Sequence, residues 1–71
     1  MKEEKITDFY GRILGYIQTD ELTNNKTAFN FYRKILGRYN AKENVTKDFY
    51  GRIVSRGDTL TSLIISNNNA T

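Results

Sequence analysis

The fold of this chain is decided by the stretch Asp8-Phe9-Tyr10-Gly11-Arg12-Ile13-Leu14, which returns almost unchanged as Asp48-Phe49-Tyr50-Gly51-Arg52-Ile53-Val54. A more divergent copy, Asn30-Phe31-Tyr32-Arg33-Lys34-Ile35-Leu36, lies between them. Three copies of one short motif within 71 residues indicate a repeat protein, because each copy is one supersecondary unit that needs its neighbours to bury its apolar side.

The motif has the chemistry of a tight β-hairpin turn. In the first and third copies an Asp is followed three residues later by a Gly, as Asp8 and Gly11 and as Asp48 and Gly51. An Asp that opens a type I turn accepts hydrogen bonds from the backbone N–H groups ahead of it. A Gly at the fourth position adopts a positive φ and forms a G1 bulge. These four residues are therefore predicted to be structural turn residues.

Segments of β-prone residues flank each turn. The apolar residues between 29 and 39 fall near a helical period, but the likeness of this segment to the other two copies favours a strand. The β-branched residues 59–65 are predicted to form a last strand. The other strands are predicted at residues 5–7, 12–19, 26–29, 34–40, 45–47 and 52–56.

The sequence thus predicts an all-β fold. We expect an antiparallel meander of about six or seven short strands from three hairpin repeats, forming a curled sheet or a small barrel-like roll. One domain covers residues 1–71, with repeats over about 5–25, 26–44 and 45–65 and a polar tail over 66–71.

Simple alternation along the returning strands predicts which residues share a face. It puts Ile17 on one face of the first of these strands and Leu14 on the other, so both faces are partly apolar. A small residue recurs at one position of every copy, as Gly15, Gly37 and Ser55. This recurrence predicts either that a large aromatic side chain packs over the position or that another backbone comes close.

Composition restricts the core and the chemistry. A chain of this length buries only about 60% of its unfolded surface. The nine aromatic residues are all Phe or Tyr, and we expect those of the motif to supply the small core. Because two partly apolar faces need a cover, a homo-oligomer, such as a dimer, or a protein partner is expected.

The residue types present argue against catalysis. The chain has no Cys and no His, and it lacks a phosphate-binding loop, a nucleophile elbow and metal-ligand spacing. A catalytic carboxylate would have to be Asp8, Asp48 or Asp58, and the first two have a turn to stabilise. We predict no enzymatic activity, no cofactor, no metal site and no small-molecule substrate. Without an apolar leader or a membrane-spanning stretch, a cytoplasmic protein with no membrane contact is expected.

A family resemblance supports the repeat architecture. The stretches Thr7-Asp8-Phe9-Tyr10-Gly11-Arg12-Ile13 and Lys47-Asp48-Phe49-Tyr50-Gly51-Arg52-Ile53 resemble the YD-type repeat, roughly Tyr-Asp-x-x-Gly-Arg-Leu recurring about every twenty residues. Thr7 and Lys47 stand where that repeat has Tyr. Large YD-repeat proteins wrap long β-sheets into shells around toxins or form extracellular scaffolds, and the resemblance, which covers residues 5–58, implies repeated β-hairpins.

The chain also looks like very short bacterial proteins made of three or four Asp-x-x-Gly-Arg units, which implies a bacterial source. The middle copy departs from that pattern, with Asn30 for Asp and Arg33 for Gly. Its turn geometry is therefore left open, because a residue with a side chain at positive φ costs about 1 kcal/mol.

Two functions follow from these features. The leading hypothesis is a non-enzymatic β-repeat protein that acts through self-association or protein binding. The alternative is a module for single-stranded nucleic acid, in which exposed Tyr rings stack on bases and neighbouring cations neutralise phosphates. Its net charge of +3 permits such binding. The contacts predicted for this alternative are Tyr10, Arg12, Tyr32, Lys34, Tyr50 and Arg52.

Overall fold

The computed structural model describes residues 1–69, which form one antiparallel sheet and one helix. Every strand pairs with its neighbours in the chain, so the sheet order is β1 to β6 in sequence and the predicted meander is confirmed. In chain order the elements are β1 (Lys2–Thr7), β2 (Ile13–Thr19), β3 (Lys26–Asn30), β4 (Ile35–Asn40), β5 (Val45–Asp48), β6 (Ile53–Arg56) and α1 (Leu60–Asn69).

Of the two predicted forms, a curled sheet or a barrel-like roll, the barrel-like roll is excluded, because β1 and β6 both remain edge strands. The prediction of a last strand is wrong. The predicted last strand at residues 59–65 is helical, and α1 continues through most of the predicted polar tail. The end of that tail, residues 70–71, lies outside the described residues. The strand prediction for the middle copy is confirmed by β3 and β4.

Tertiary contacts explain why the β-branched segment forms a helix. Leu60, Leu63 and Ile64 recur at the spacing that puts side chains on one face of a helix. Leu60 and Ile64 are completely buried, and Leu63 is half-buried. The helix begins where the Leu60 N–H donates to Asp58 Oδ1 at 3.3 Å. Burial of this apolar stripe outweighs a β propensity that spans only about 1 kcal/mol per residue.

The core lies between α1 and the centre of the sheet. Its buried cluster joins Ile17 of β2 and Ala28 of β3 to Leu60 and Ile64 of the helix. The helix contacts β2, β3 and β4, so it covers one of the two apolar faces that the sequence leaves without a cover. No Phe or Tyr of the motif belongs to this cluster.

The recurring small residues lie where backbone and helix come close. A Cβ atom at Gly15 would lie 2.2 Å from the Phe29 carbonyl oxygen and 3.0 Å from the side chain of Ile64. At Gly37 it would lie 2.4 Å from the Lys47 carbonyl oxygen. Of the two explanations that the sequence leaves open, close approach of another backbone is therefore confirmed at Gly15 and Gly37.

Each hairpin also contains a register shift beside its turn, which changes the faces predicted by simple alternation. In the first hairpin Ile6 pairs with Gly15 whereas Thr7 pairs with Ile13, so Leu14 is the extra residue. Leu14 packs against the same cluster as Ile17, although alternation puts the two on opposite faces. A β-bulge accounts for the difference, because an inserted residue interrupts the period of two.

A substitution at Gly37 tests the close approach. Gly37→Ala should lower the free energy of unfolding more than the control described below, by up to about 3 kcal/mol, because the added methyl group overpacks against the Lys47 carbonyl and Leu63. Urea denaturation measures the change, with Gly51→Ala as the matched control. Gly51 has open space around it, so its substitution should lower the free energy of unfolding by only about 1 kcal/mol, which is the cost of a side chain at positive φ. Equal losses at the two positions would contradict the packing described above.

Candidate binding surface at the hairpin turns

The first and third turns have the same hydrogen bonds. Asp8 Oδ1 accepts from the backbone N–H groups of Tyr10 and Arg12, both at 2.9 Å. The Gly11 N–H donates to the Asp8 carbonyl at 3.0 Å, and Gly11 has a φ of 81°. In the third copy, Asp48 Oδ1 accepts from Tyr50 and Arg52 at 2.9 Å, and Gly51 has a φ of 82°. Asp8, Gly11, Asp48 and Gly51 thus lie in the turns as the sequence places them.

The middle copy makes the same turn with different residues. Asn30 Oδ1 accepts from the N–H groups of Tyr32 at 2.8 Å and Lys34 at 2.9 Å. Arg33 takes the place of the glycine with a φ of 64°. An amide oxygen and a carboxylate oxygen are equivalent acceptors for these bonds. The turn geometry that the sequence leaves open is therefore that of the other two copies.

Arg33 also reaches back across the sheet. Its guanidinium donates to Glu3 of β1 at 2.8 Å and lies 4.1 Å from the centroid of the Tyr16 ring on β2. The hydrogen bonds from Arg33 and then from Gln18 lower the pKa of Glu3 from 4.5 to about 2. A glycine at this position could not make these contacts.

The three turns present six aromatic side chains at one end of the sheet, which we call the aromatic row. Successive turns are two strands apart, so they are spaced by roughly 10 Å. Each Phe meets the adjacent Tyr edge to face, with ring centroids 5.6, 5.5 and 5.4 Å apart in the three copies. The members of the row and their exposed fractions are Phe9 (97%), Tyr10 (79%), Phe31 (54%), Tyr32 (78%), Phe49 (63%) and Tyr50 (77%).

The expectation that these aromatic residues supply the core is wrong. In a four-residue turn, Phe9 and Tyr10 occupy the two central positions, so their side chains project from the tip of the hairpin. The residues are still brought together, but at the end of the sheet and in contact with solvent. The turn chemistry in the sequence was the signal that could have placed them there.

Consecutive turns enclose shallow grooves between repeats. The first groove lies between the first and second turns, and the second groove lies between the second and third turns. Each groove is lined by a Phe of the later repeat and an Ile of the earlier one. The first groove is lined by Gly11, Arg12, Ile13, Phe31 and Tyr32, and the second by Asn30, Lys34, Ile35, Leu36 and Phe49.

The cations predicted to bind phosphate are partly neutralised within their own turns. Arg12 Nε bonds Asp8 Oδ2 at 2.8 Å, and Arg12 Cζ lies 5.4 Å from the Tyr10 ring centroid. Arg52 contacts Asp48 and Tyr50 in the same way, at 3.1 and 5.3 Å. Lys34, at the equivalent position, has no ion pair within residues 1–69.

The pKa values of Asp8 and Asp48 reflect this arrangement. Both are lowered from the ordinary 3.8, chiefly because the backbone N–H of Arg12 or Arg52 bonds the charged carboxylate. The Tyr10 or Tyr50 N–H and the Arg side chain contribute in the same direction. Each carboxylate is therefore held ionised by its turn, which suits a structural role and not a proton-transfer role.

The described part of the chain has neither a metal-binding cluster nor a membrane-spanning helix. No group of three or more acidic, His or Cys side chains there is arranged to hold a metal ion. None of its helical structure has the length and apolar character needed to cross a membrane. Comparison of the chain with protein-family models, curated proteins and solved structures finds no match.

Substitutions at Asp48 test the turn chemistry. Asp48→Ala removes the acceptor of two backbone N–H groups and should lower the melting temperature by several degrees, measured by circular dichroism. Asp48→Asn should have a much smaller effect, because Asn30 supports the same two bonds in the middle copy. Equal melting temperatures for the two variants would contradict this role of the side-chain oxygen.

The contact of Glu3 with Arg33 predicts an acid transition. Because folding lowers the pKa of Glu3 to about 2, the contact contributes its full stability above pH 4.5 and loses it as pH falls toward 2. Glu3→Gln should therefore flatten the fall in melting temperature over this range. Glu4→Gln, which changes the adjacent carboxylate and leaves the Arg33 contact intact, is the control. An unchanged pH profile for Glu3→Gln would exclude the contact as a source of acid sensitivity.

Proposed function

We propose that this chain is a non-enzymatic binding protein, whose aromatic row contacts another protein, either a second copy or a different partner. The observation that supports this most directly is that six aromatic side chains are exposed together at one end of the sheet. Aromatic residues dominate the energetic centres of protein interfaces, whereas isolated exposed apolar residues carry no such meaning.

The row is preorganised for binding. Each Phe–Tyr pair is fixed by the same two side-chain-to-backbone bonds in its turn and by an edge-to-face contact between the rings. A rigid aromatic surface loses little conformational entropy when a partner covers it. Because folding already orders these aromatic side chains, binding does not have to order them again.

The charges favour a protein over single-stranded nucleic acid. Arg12 and Arg52 are each bound to a carboxylate of their own turn, so both pairs are formally neutral. Binding to a polyanion draws its affinity from cations that neutralise phosphates. Exposed Tyr rings could still stack on bases, and Lys34, which has no ion pair within residues 1–69, could still neutralise a phosphate, which keeps nucleic acid as the alternative. A cytoplasmic location and assembly into a homo-oligomer, of which a dimer is the smallest form, are further parts of the proposal.

Site-specific photo-crosslinking tests the proposal in cells that make the protein. A photoreactive phenylalanine analogue in place of Tyr32 should give discrete protein adducts, because this position lies at the middle of the row. The same analogue in place of Leu22 is the matched control, since Leu22 is 95% exposed but lies in the β2–β3 connection at the opposite end of the sheet.

The mass of each adduct decides between the outcomes. Adducts of Tyr32 with a second copy or with another protein, absent from the Leu22 variant, support protein binding. Adducts with nucleic acid instead would transfer support to the alternative function. Equal adduct patterns at the two positions would show that the row has no special role.

A further inference from the structure

The first and third repeats carry the separated halves of a groove lining that occurs twice within the sheet. Within the sheet, Phe31 lies in a groove with Ile13 of the preceding repeat, and Phe49 lies in a groove with Ile35. The first repeat has a Phe but no preceding Ile, and the third has an Ile but no following Phe. Phe9 and Ile53 are the two members left over.

Exposure of the side chains agrees with this pattern. Phe9 is 97% exposed, whereas the equivalent Phe31 and Phe49 are 54% and 63% exposed. Ile53 is 61% exposed, whereas the equivalent Ile13 and Ile35 are half-buried. Each member loses exposure where a neighbouring repeat supplies its counterpart.

We infer that a second copy of the chain pairs its β1 edge with the β6 edge of the first, so that Phe9 of one copy enters the groove beside Ile53 of the other. This inference rests on the self-association included in the proposed function and names its geometry. The partner is the chain itself because each end of the sheet exposes the residue that the other end lacks. The first repeat exposes a Phe and lacks an Ile beside it, and the third repeat exposes an Ile and lacks a Phe beside it.

The pairing rules inside the sheet predict the register. Gly15 of β2 is opposite Asn30 of β3, and Gly37 of β4 is opposite Asp48 of β5. Ser55 and Asp8 occupy the equivalent positions in the third and first copies. The same register therefore places Ser55 of β6 opposite Asp8 of the second copy, with antiparallel strands as in the two internal contacts.

The contact is limited in extent, which makes it reversible. β6 has only four residues, and Gly57 with a φ of 83° follows it directly. The outer half of β1 is the charged run at residues 2–5, which the short β6 does not reach. Charged side chains on an edge oppose extended strand pairing. Association should therefore depend on protein concentration and release on dilution.

This contact is heterologous, because the two copies use different surfaces. A heterologous contact leaves a free β1 edge at one end and a free β6 edge at the other, so further copies can add. Each added copy would also extend the aromatic row by three turns at the same spacing of roughly 10 Å.

Complementation between two variants of the full chain tests the geometry. Phe9→Ala removes one half of the contact and Ile53→Lys removes the other, both at positions that are mostly exposed in the monomer. In sedimentation experiments over a wide concentration range, the unmodified chain should gain mass with concentration, and each variant alone should remain monomeric. An equimolar mixture should form a 1:1 complex, because each variant retains the edge that the other has lost.

Controls separate the possible failures. Leu22→Ser should associate like the unmodified chain, and Val54→Lys provides a second β6-edge variant if Ile53→Lys does not fold. Association of the Phe9→Ala variant alone would show a symmetric contact and overturn the inference, as would a mixture that stays monomeric. A strictly monomeric unmodified chain would also overturn it, whereas adducts of Tyr32 with a different protein would still support the proposed function.

Discussion

The structure depends on one side-chain oxygen per repeat. In each copy the oxygen of an Asp or Asn at the start of the turn accepts two backbone N–H groups, at 2.8–2.9 Å in all three copies. These bonds fix where the chain reverses, and the reversal fixes the strand pairing that follows. Because the donors are backbone groups, the rest of the motif is free to vary around this acceptor.

From these turns the sheet follows, but its stability depends on the helix. Six short strands with an open edge on each side cannot bury enough apolar surface alone. The helix supplies Leu60 and Ile64, the largest apolar side chains that are completely buried. It approaches closely because Gly15 and Gly37 carry no side chain. The small residues of the repeat are thus complementary to an element that lies outside the repeat.

What could be predicted from the sequence was the local chemistry. The turn-opening Asp and the following Gly indicated hairpins, and their repetition indicated a meander. What could not be predicted was the long-range outcome. Residues 59–65 have the composition of a strand. They form a helix because the sheet surface at Gly15 and Gly37 can bury the apolar stripe that a helix presents, made of Leu60, Leu63 and Ile64.

The candidate surface was predicted in its residues but not in its position. The recurring Tyr and cation pairs were identified for the alternative function, yet the Phe and Tyr residues of the motif were expected in the core because a small chain has few other apolar side chains. The two central positions of a turn are exposed whatever residues occupy them, and here that geometric constraint outweighed hydrophobicity.

The ion pair of Arg33 has a consequence for how such a chain can change length. A repeat inserted between the first and second copies would move Arg33 two strands further from Glu3 and break their ion pair. An insertion after the second copy would leave this contact intact. Arg33 therefore gives the second copy a contact with the first that the third copy does not share.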